Sequence, residues 1–337
     1  MENRKPTKEL FTEYLSTLDE KTRYRCDNNI DRHEVYAYEE KIGKQFIDMN
    51  PEEILDMITT FGKGDGDNLG LVWYNTYSSI STMMRTFFDW YNVQYGKQYG
   101  VIINPFSQKP LRGKNGIRQK AIEYPNKFSY ENIQCVIDKL HSHLDEQRAN
   151  WCECIILFCY YGFDQSCRDM ILIQNSMIDR DRCQIDINER SVQVSERAIE
   201  LLDKINSMQY MPGQRADSLM LSWHDSYFKL ICRQKESKGL QNKSHVYVSD
   251  AILKALRRML SESGSNLTLR SVYYCGAYEA LCRTYGEDKA AAMVISEGDG
   301  KINEELMKFA IQFNMPARDG TRVKDLLLPY VKANRNA

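Results

Sequence analysis

The chain has 337 residues, of which 27% are charged and 42% hydrophobic, with only 18 Gly and 8 Pro. That length predicts two domains rather than one core, and the composition excludes disordered and repeat classes in favour of a helix-rich globular protein. A formal net charge of −1 excludes a chain that coats nucleic acid indiscriminately, so any contact with DNA must rest on a local basic surface. No apolar run approaches the ~20 residues of a membrane-spanning helix, and the opening MENRKPTKELF lacks an apolar signal core. A cytoplasmic protein with no membrane partner is expected. The ten cysteines sit in apolar or aromatic runs, as at Cys152, Cys154 and Cys159, form no CxxC pair, and read as small buried hydrophobes. His141 and His143 lie two apart on a predicted helix and point to different faces, which suits surface polar residues better than joint metal ligands. No metal or other cofactor is expected.

From the N-terminus to about Phe106 the pattern predicts four or five helices. Leu10, Phe11, Tyr14, Leu15 and Leu18 make an apolar stripe at helical spacing. Asn50, Pro51 and Glu53 supply a cap, a first-turn proline and an acid at the third position, and the helix they begin is predicted to end near Phe61. The GKGDGDNLG run that follows lacks the GK[ST] and strand context of a phosphate-binding loop and reads as a connector. A helix predicted from about Tyr74 to Tyr95 carries Asn75, Ser78, Thr82 and Arg85 on one face and Tyr77, Ile80, Met84, Phe87 and Tyr91 on the other. Short polar side chains with one arginine suit a helix pressed into a major groove. A solvated face is the competing reading, although such faces usually carry more Lys and Glu.

Between Val101 and Tyr130 lie six basic residues, Lys109, Arg112, Lys114, Arg118, Lys120 and Lys127, against the single acid Glu123. Pro105, Pro110, Gly113, Gly116 and Pro125 mark this stretch as an extended connection. Linkers are often charged for solubility alone; the position between two helical blocks favours a DNA-backbone contact.

The second block opens with a helix from Ser129 to about Leu144 and an apolar helix from Trp151 to Gly162. CQIDI and SVQV read as two short strands around an Asn188-Glu189-Arg190 turn, closing into a helix at Ser195 with Glu196 behind the cap. A basic stretch, Lys229, Arg233, Lys235, Lys238 and Lys243 with one acid, Glu236, leads into HVYVSDAILKAL, read as a strand-to-helix entry. Next, Thr268 caps a helix on which Val272, Tyr273, Cys275, Gly276, Ala280 and Leu281 leave most faces apolar, so burial nearly all round is expected. An arginine in the first turn of such a helix, Arg270, needs an anionic partner, either a core carboxylate or a phosphate.

The run Leu267-Thr268-Leu269-Arg270 resembles the His-x-Leu-Arg box of tyrosine recombinases and phage integrases, in which the arginine grips the scissile phosphate; Leu267 stands where the box has histidine. FFDWYNVQYGKQYGVIINPF resembles the closing helix of that family's core-binding domain and its exit. QSCRDMILIQNSMID resembles the first arginine box. Counting back from Ile178-Asp179 puts Asp169 at the acidic position and Ser166 where arginine should be, counting forward from Gly162 gives Asp164, and Arg168 is displaced by roughly half a helical turn. The family's hairpin carries a catalytic lysine, which the turn at Asn188 lacks. Glu297 stands near the expected second histidine or tryptophan, and the nucleophilic tyrosine, expected around Leu306 to Phe309, is missing. Tyr330, the first tyrosine after Tyr285, lies some two predicted helices further on and would need a large rearrangement to act.

The resemblance implies a mainly α, two-domain, tyrosine-recombinase-like fold: a helical core-binding domain over 1–106, a basic linker over 107–126, and over 127–337 a mostly helical catalytic-like domain with a small β-hairpin or sheet. In that family the two domains clamp the duplex, which a basic linker suits. With no tyrosine, lysine or histidine at the expected positions, no catalytic residue is assigned. The implied activity is sequence-specific binding of double-stranded DNA without cutting. The simplest role is a transcriptional repressor at a duplex operator, as in the recombinase-fold master repressors of SPbeta-type prophages, which maintain lysogeny; a protein or peptide anti-repressor would be a further partner. The candidate DNA-binding residues are Asn75, Ser78, Thr82, Arg85, Lys109, Arg112, Lys114, Arg118, Lys120, Lys238, Lys243 and Arg270. An active recombinase with an atypical nucleophile and a helical scaffold for protein partners are the rival readings.

Overall fold

In the computed structural model the described residues are 4–32, 35–60, 74–112, 129–211, 218–233, 239–265, 267–296 and 299–331, with only the backbone described at 29, 31–32, 59–60, 74–80 and 233. They fall in two units, one of Met1–Asn126 with Lys332–Ala337 and one of Lys127–Val331. Both are mostly helical, and the small antiparallel sheets belong to the second.

The first unit holds α1 (Thr7–Ser16), α2 (Glu20–Arg32), α3 (Val35–Ile42), α4 (Pro51–Thr60) and α5 (Tyr74–Tyr99). Asn50 and Glu53 start α4 reciprocally: the Glu53 N–H donates to Asn50 Oδ1 at 2.8 Å and the Asn50 N–H to Glu53 Oε2 at 2.7 Å. Leu10, Phe11, Tyr14 and Leu15 are buried, whereas Leu18 is only half-buried past the end of α1. Phe11 stacks on Phe87 of α5 with ring centroids 4.3 Å apart, and Phe46 packs on Phe88 at 5.3 Å, so aromatic rings form much of this core. The chain leaving α5 turns back along it. Asn92 exchanges two 2.8 Å hydrogen bonds with the Ile102 backbone, and Asn104 Nδ2 donates to the Arg85 carbonyl at 3.0 Å and to Asp89 Oδ1 at 2.8 Å.

The second unit begins with α6 (Tyr130–His143), capped by Ser129, and α7 (Glu146–Tyr160), capped by Asp145 and buried on every face from Ala149 onward. Strands β1 (Ile178–Asp179), β2 (Gln184–Ile187) and β3 (Arg190–Gln193) form a three-stranded antiparallel sheet, with Ile187 opposite Arg190 at the hairpin end. Helix α8 (Glu196–Ser207) follows, capped by Ser195, whose side chain accepts from the Ala198 N–H at 3.2 Å. A second hairpin, β4 (Ser218–Ser222) with β5 (Lys229–Arg233), was not expected from sequence. The HVYV segment also departs from expectation, since it is the first turn of α9 (His245–Glu262) and not a strand. Ser244 caps that turn, accepting from the Tyr247 N–H, and Val248, Ile252 and Leu256 bury at helical spacing, which outweighs the β preference of the two valines.

Helix α10 (Leu269–Tyr285) runs through the middle of this unit against α7, with α11 (Glu287–Ile295), α12 (Gly300–Gln312) and α13 (Gly320–Leu327) following. Val272, Tyr273, Cys275, Ala277 and Leu281 are buried, and Gly276 marks its closest crossing. A Cβ there would lie 1.8 Å from the Tyr160 carbonyl oxygen, so only glycine lets α10 meet the end of α7. Among the described residues no helix is long and apolar enough to cross a membrane, and no cluster of His, Cys, Asp and Glu could hold a metal ion.

Candidate nucleic-acid interface

Thr268 fixes the start of α10 by accepting from the Ser271 N–H at 3.2 Å, while Leu267 and Leu269 are buried on either side of it. Directly after these anchors Arg270 is turned outward and exposed, which departs from the expectation of a buried charge. Its guanidinium carbon sits 5.8 Å from the ring centroid of buried Tyr274. Among the described residues it forms no ion pair with a carboxylate. Burial pushes the Tyr274 phenol up, and the positive charges of Arg270 and of Arg322, on α13, pull it back. Two arginines therefore act on one phenol, and the core carboxylate that would have made Arg270 an internal structural ion is not found among the described residues.

Tyr330 closes the short Leu328–Tyr330 turn after α13, and its ring lies 6.4 Å from that of Tyr274. The expectation that sequence distance keeps Tyr330 away from Arg270 is thus corrected: α13 folds back on α10 and returns this tyrosine to the helix that carries the arginine. Tyr330 is buried, at 6% exposure, and burial pushes its hydroxyl well above the ordinary phenol range.

The β2–β3 hairpin turns inward. Asn188 and Glu189 both have positive φ, +48° and +61°, as a tight two-residue hairpin turn requires. Asn188 Nδ2 donates to Asp169 Oδ1 at 2.8 Å, and an Arg190 terminal nitrogen donates to Asp169 Oδ2 at 3.1 Å. Asp169 also accepts from the Asp164 N–H at 3.1 Å. Burial pushes this carboxyl above the usual range, against the opposing pull of the Asp164 N–H and Arg190. The one cation of the hairpin turn is therefore spent on a buried carboxylate, with side-chain exposures of 13% and 7% for the pair. Arg168 is exposed, and Ser166 donates its hydroxyl to Asp164.

The remaining candidates scatter over both units. Thr82 and Arg85 are exposed on α5, whose Met84, Phe87 and Tyr91 are buried opposite. Asn75 and Ser78 lie in α5, but their side chains fall outside the described residues. Lys109 and Arg112 are exposed beyond α5, and Lys243 is exposed ahead of α9 with its ammonium 4.9 Å from the Tyr247 ring centroid. Lys114, Arg118, Lys120 and Lys238, with Glu297 and the GKGDGDNLG loop, lie outside the described residues. Lys229, read from sequence as solvated, donates to the Met208 carbonyl at 2.7 Å. His141 is likewise not a bare surface residue: with Arg197 it binds the buried Glu153, at 2.7 Å and 2.8 Å. Sequence reasoning missed Arg322, since only the return of α13 to α10 gives it meaning.

No family model matches the chain, and no curated protein matches it. Among solved structures it is similar to one described as the crystal structure of XerA recombinase, with a TM-score of 0.36 and 11% identity over 95% of this chain and 93% of that one.

Proposed function

We propose that this protein binds a specific duplex DNA sequence and does not cut it, serving as a transcriptional repressor built on a recombinase-like scaffold. The role in holding a prophage in lysogeny, with a protein or peptide anti-repressor to release it, follows from the motif resemblance. The observation that carries the binding reading is Arg270: exposed, on a helix start fixed by two buried leucines and a threonine cap, with no carboxylate partner among the described residues. Such a guanidinium is ready for a bidentate phosphate contact. The absence of cutting is supported by Asn188-Glu189-Arg190, where a lysine general acid would stand and Arg190 is already paired, and by the lack of tyrosine around Leu306 to Phe309.

A second reading, an active recombinase with an atypical nucleophile, draws on one observation: the Tyr330 ring lies 6.4 Å from that of Tyr274, over which the Arg270 guanidinium sits. Against it stand the burial of the Tyr330 hydroxyl and its raised pKa, both of which disfavour the phenolate that must attack phosphorus. The test takes duplexes selected by the protein from a random pool, nicks them so that any phosphotyrosyl adduct is trapped, and runs the products in detergent. One sequence should be enriched and no covalent band should form. A detergent-resistant adduct that disappears in Tyr330→Phe would restore the enzyme, and failure to enrich any sequence would remove the repressor.

A further inference from the structure

The second unit contains a cavity of about 280 Å³ between β5 and α9, away from the α10 start. Trp151, Leu230, Val248 and Ile252 line it and are each almost wholly buried, so its floor is apolar. That floor is held in place: the Trp151 indole N–H donates to the Lys229 carbonyl at 3.1 Å, and its ring packs on Phe228 at 6.0 Å. Lys243, Tyr247 and Ala251 are exposed lining residues at its rim. Among the described residues Lys243 is the sole charged side chain of the lining, and no carboxylate pairs with it. The Trp223 indole N–H holds the Lys243 carbonyl at 3.2 Å, and the Tyr247 ring lies 4.9 Å from the ammonium, so both its main chain and its charge have a fixed seat.

We infer that this cavity binds a small amphipathic carboxylate, with the alkyl or aryl body over Trp151 and the carboxylate on Lys243. The volume lies at the lower edge of small-molecule sites, which run from about 300 to 1,000 Å³, and so admits one short chain or ring and excludes a large cofactor. Removing apolar wall and apolar ligand from water together supplies the driving force. A cation with no acid beside it among the described lining residues selects an anion over a neutral or cationic molecule of the same shape. Because the aromatic contact already restrains the ammonium, less side-chain freedom is lost when the carboxylate arrives.

The test uses the full chain without DNA, so that its outcome is separate from the repressor reading. Octanoate, octanol and octylamine are titrated by calorimetry into the wild type, Lys243→Met and Ala251→Leu. Ala251 is an exposed position of α9 at the cavity wall, and leucine there projects more volume toward the site while keeping a good helix former. Octanoate should saturate one site with an affinity about tenfold or more above that of octanol, the gain expected of a charge-assisted hydrogen bond. Lys243→Met should bring octanoate down to octanol, and Ala251→Leu should weaken both. Octanol or octylamine binding as tightly as octanoate would overturn the inference. So would octanoate that fails to saturate by about 1 mM, or variants that leave its affinity unchanged.

Discussion

Replacing Asp169 by alanine tests whether the hairpin is locked by charge. The carboxylate holds an Arg190 nitrogen at 3.1 Å, the Asn188 amide at 2.8 Å and the Asp164 N–H at 3.1 Å. Its removal strands a guanidinium that is only 13% exposed and leaves three further donors, the Asn188 amide, the Asp164 N–H and the Asn314 amide at 3.5 Å, without this acceptor. Breaking one side of a buried pair costs about 3–5 kcal/mol, and the residual exposure of Arg190 places the expected loss at about 3–4 kcal/mol. For a unit of this length each kcal/mol lowers the midpoint by about 2–4 °C, so a fall of about 6–16 °C is expected. Urea and thermal unfolding followed by circular dichroism give both quantities. The double variant Asp169→Ala/Arg190→Met should recover much of the loss, because the stranded charge is gone, and a double-mutant cycle isolates the coupling. A loss below about 0.5 kcal/mol in the single variant, the size of an ordinary surface change, would refute the reasoning, as would a cycle without coupling.

Gly276→Ala drives a Cβ to 1.8 Å from the Tyr160 carbonyl oxygen, so it should destabilise by at least the about 1–3 kcal/mol of ordinary overpacking despite the better helix propensity of alanine; an unchanged urea midpoint would contradict the crossing. Glu153 is held below the usual carboxylate range, its burial outweighed by Arg197 and His141, so its stabilisation is present above about pH 4.3 and is lost as pH falls through the lower folded value. Between pH 6 and pH 3, roughly the span that brackets carboxylate titration, Glu153→Gln should therefore lose less stability than the wild type, and parallel curves would contradict the pairing. Removing the charges of Arg112, Lys114 and Arg118 together should weaken all duplexes about equally, whereas changes at Ser78 or Thr82 should alter which sequence is preferred; filter binding against a panel of sites separates the two effects.

Local rules with a fixed spacing were legible. The reciprocal Asn50–Glu53 start, the Ser195 and Thr268 caps, and the buried face of α5 at Met84, Phe87 and Tyr91 each depend on residues within a turn or two of one another. The β4–β5 hairpin was not legible, because SLMLS and KLICR are short and their lysine and arginine read as solvated charge until cross-strand pairing is seen. HVYV misled through its valines, whose preference is weaker than a serine cap followed by helical burial. At the candidate site, sequence marked Arg270 but assigned it a buried setting, since an apolar helix gives no sign that its first turn clears the surface. Arg322, Tyr330 and the Asp169–Arg190 pair are tertiary facts. They join positions 21 to 60 residues apart, and no periodicity carries that information.

The measurement that bears most directly on DNA binding through Arg270 is a fluorescence-anisotropy titration of the selected duplex and a scrambled control, at several salt concentrations, with wild type and Arg270→Ala, beside thermal melting of both free proteins. The wild type should prefer the selected duplex and lose affinity steeply as salt rises. Arg270→Ala should lose about 1–3 kcal/mol of binding while its melting temperature stays within a degree or so, as expected of an exposed side chain with a phosphate for its partner. Equal affinity for the scrambled duplex, or an Arg270→Ala variant that melts far earlier yet binds as well per folded molecule, would contradict it.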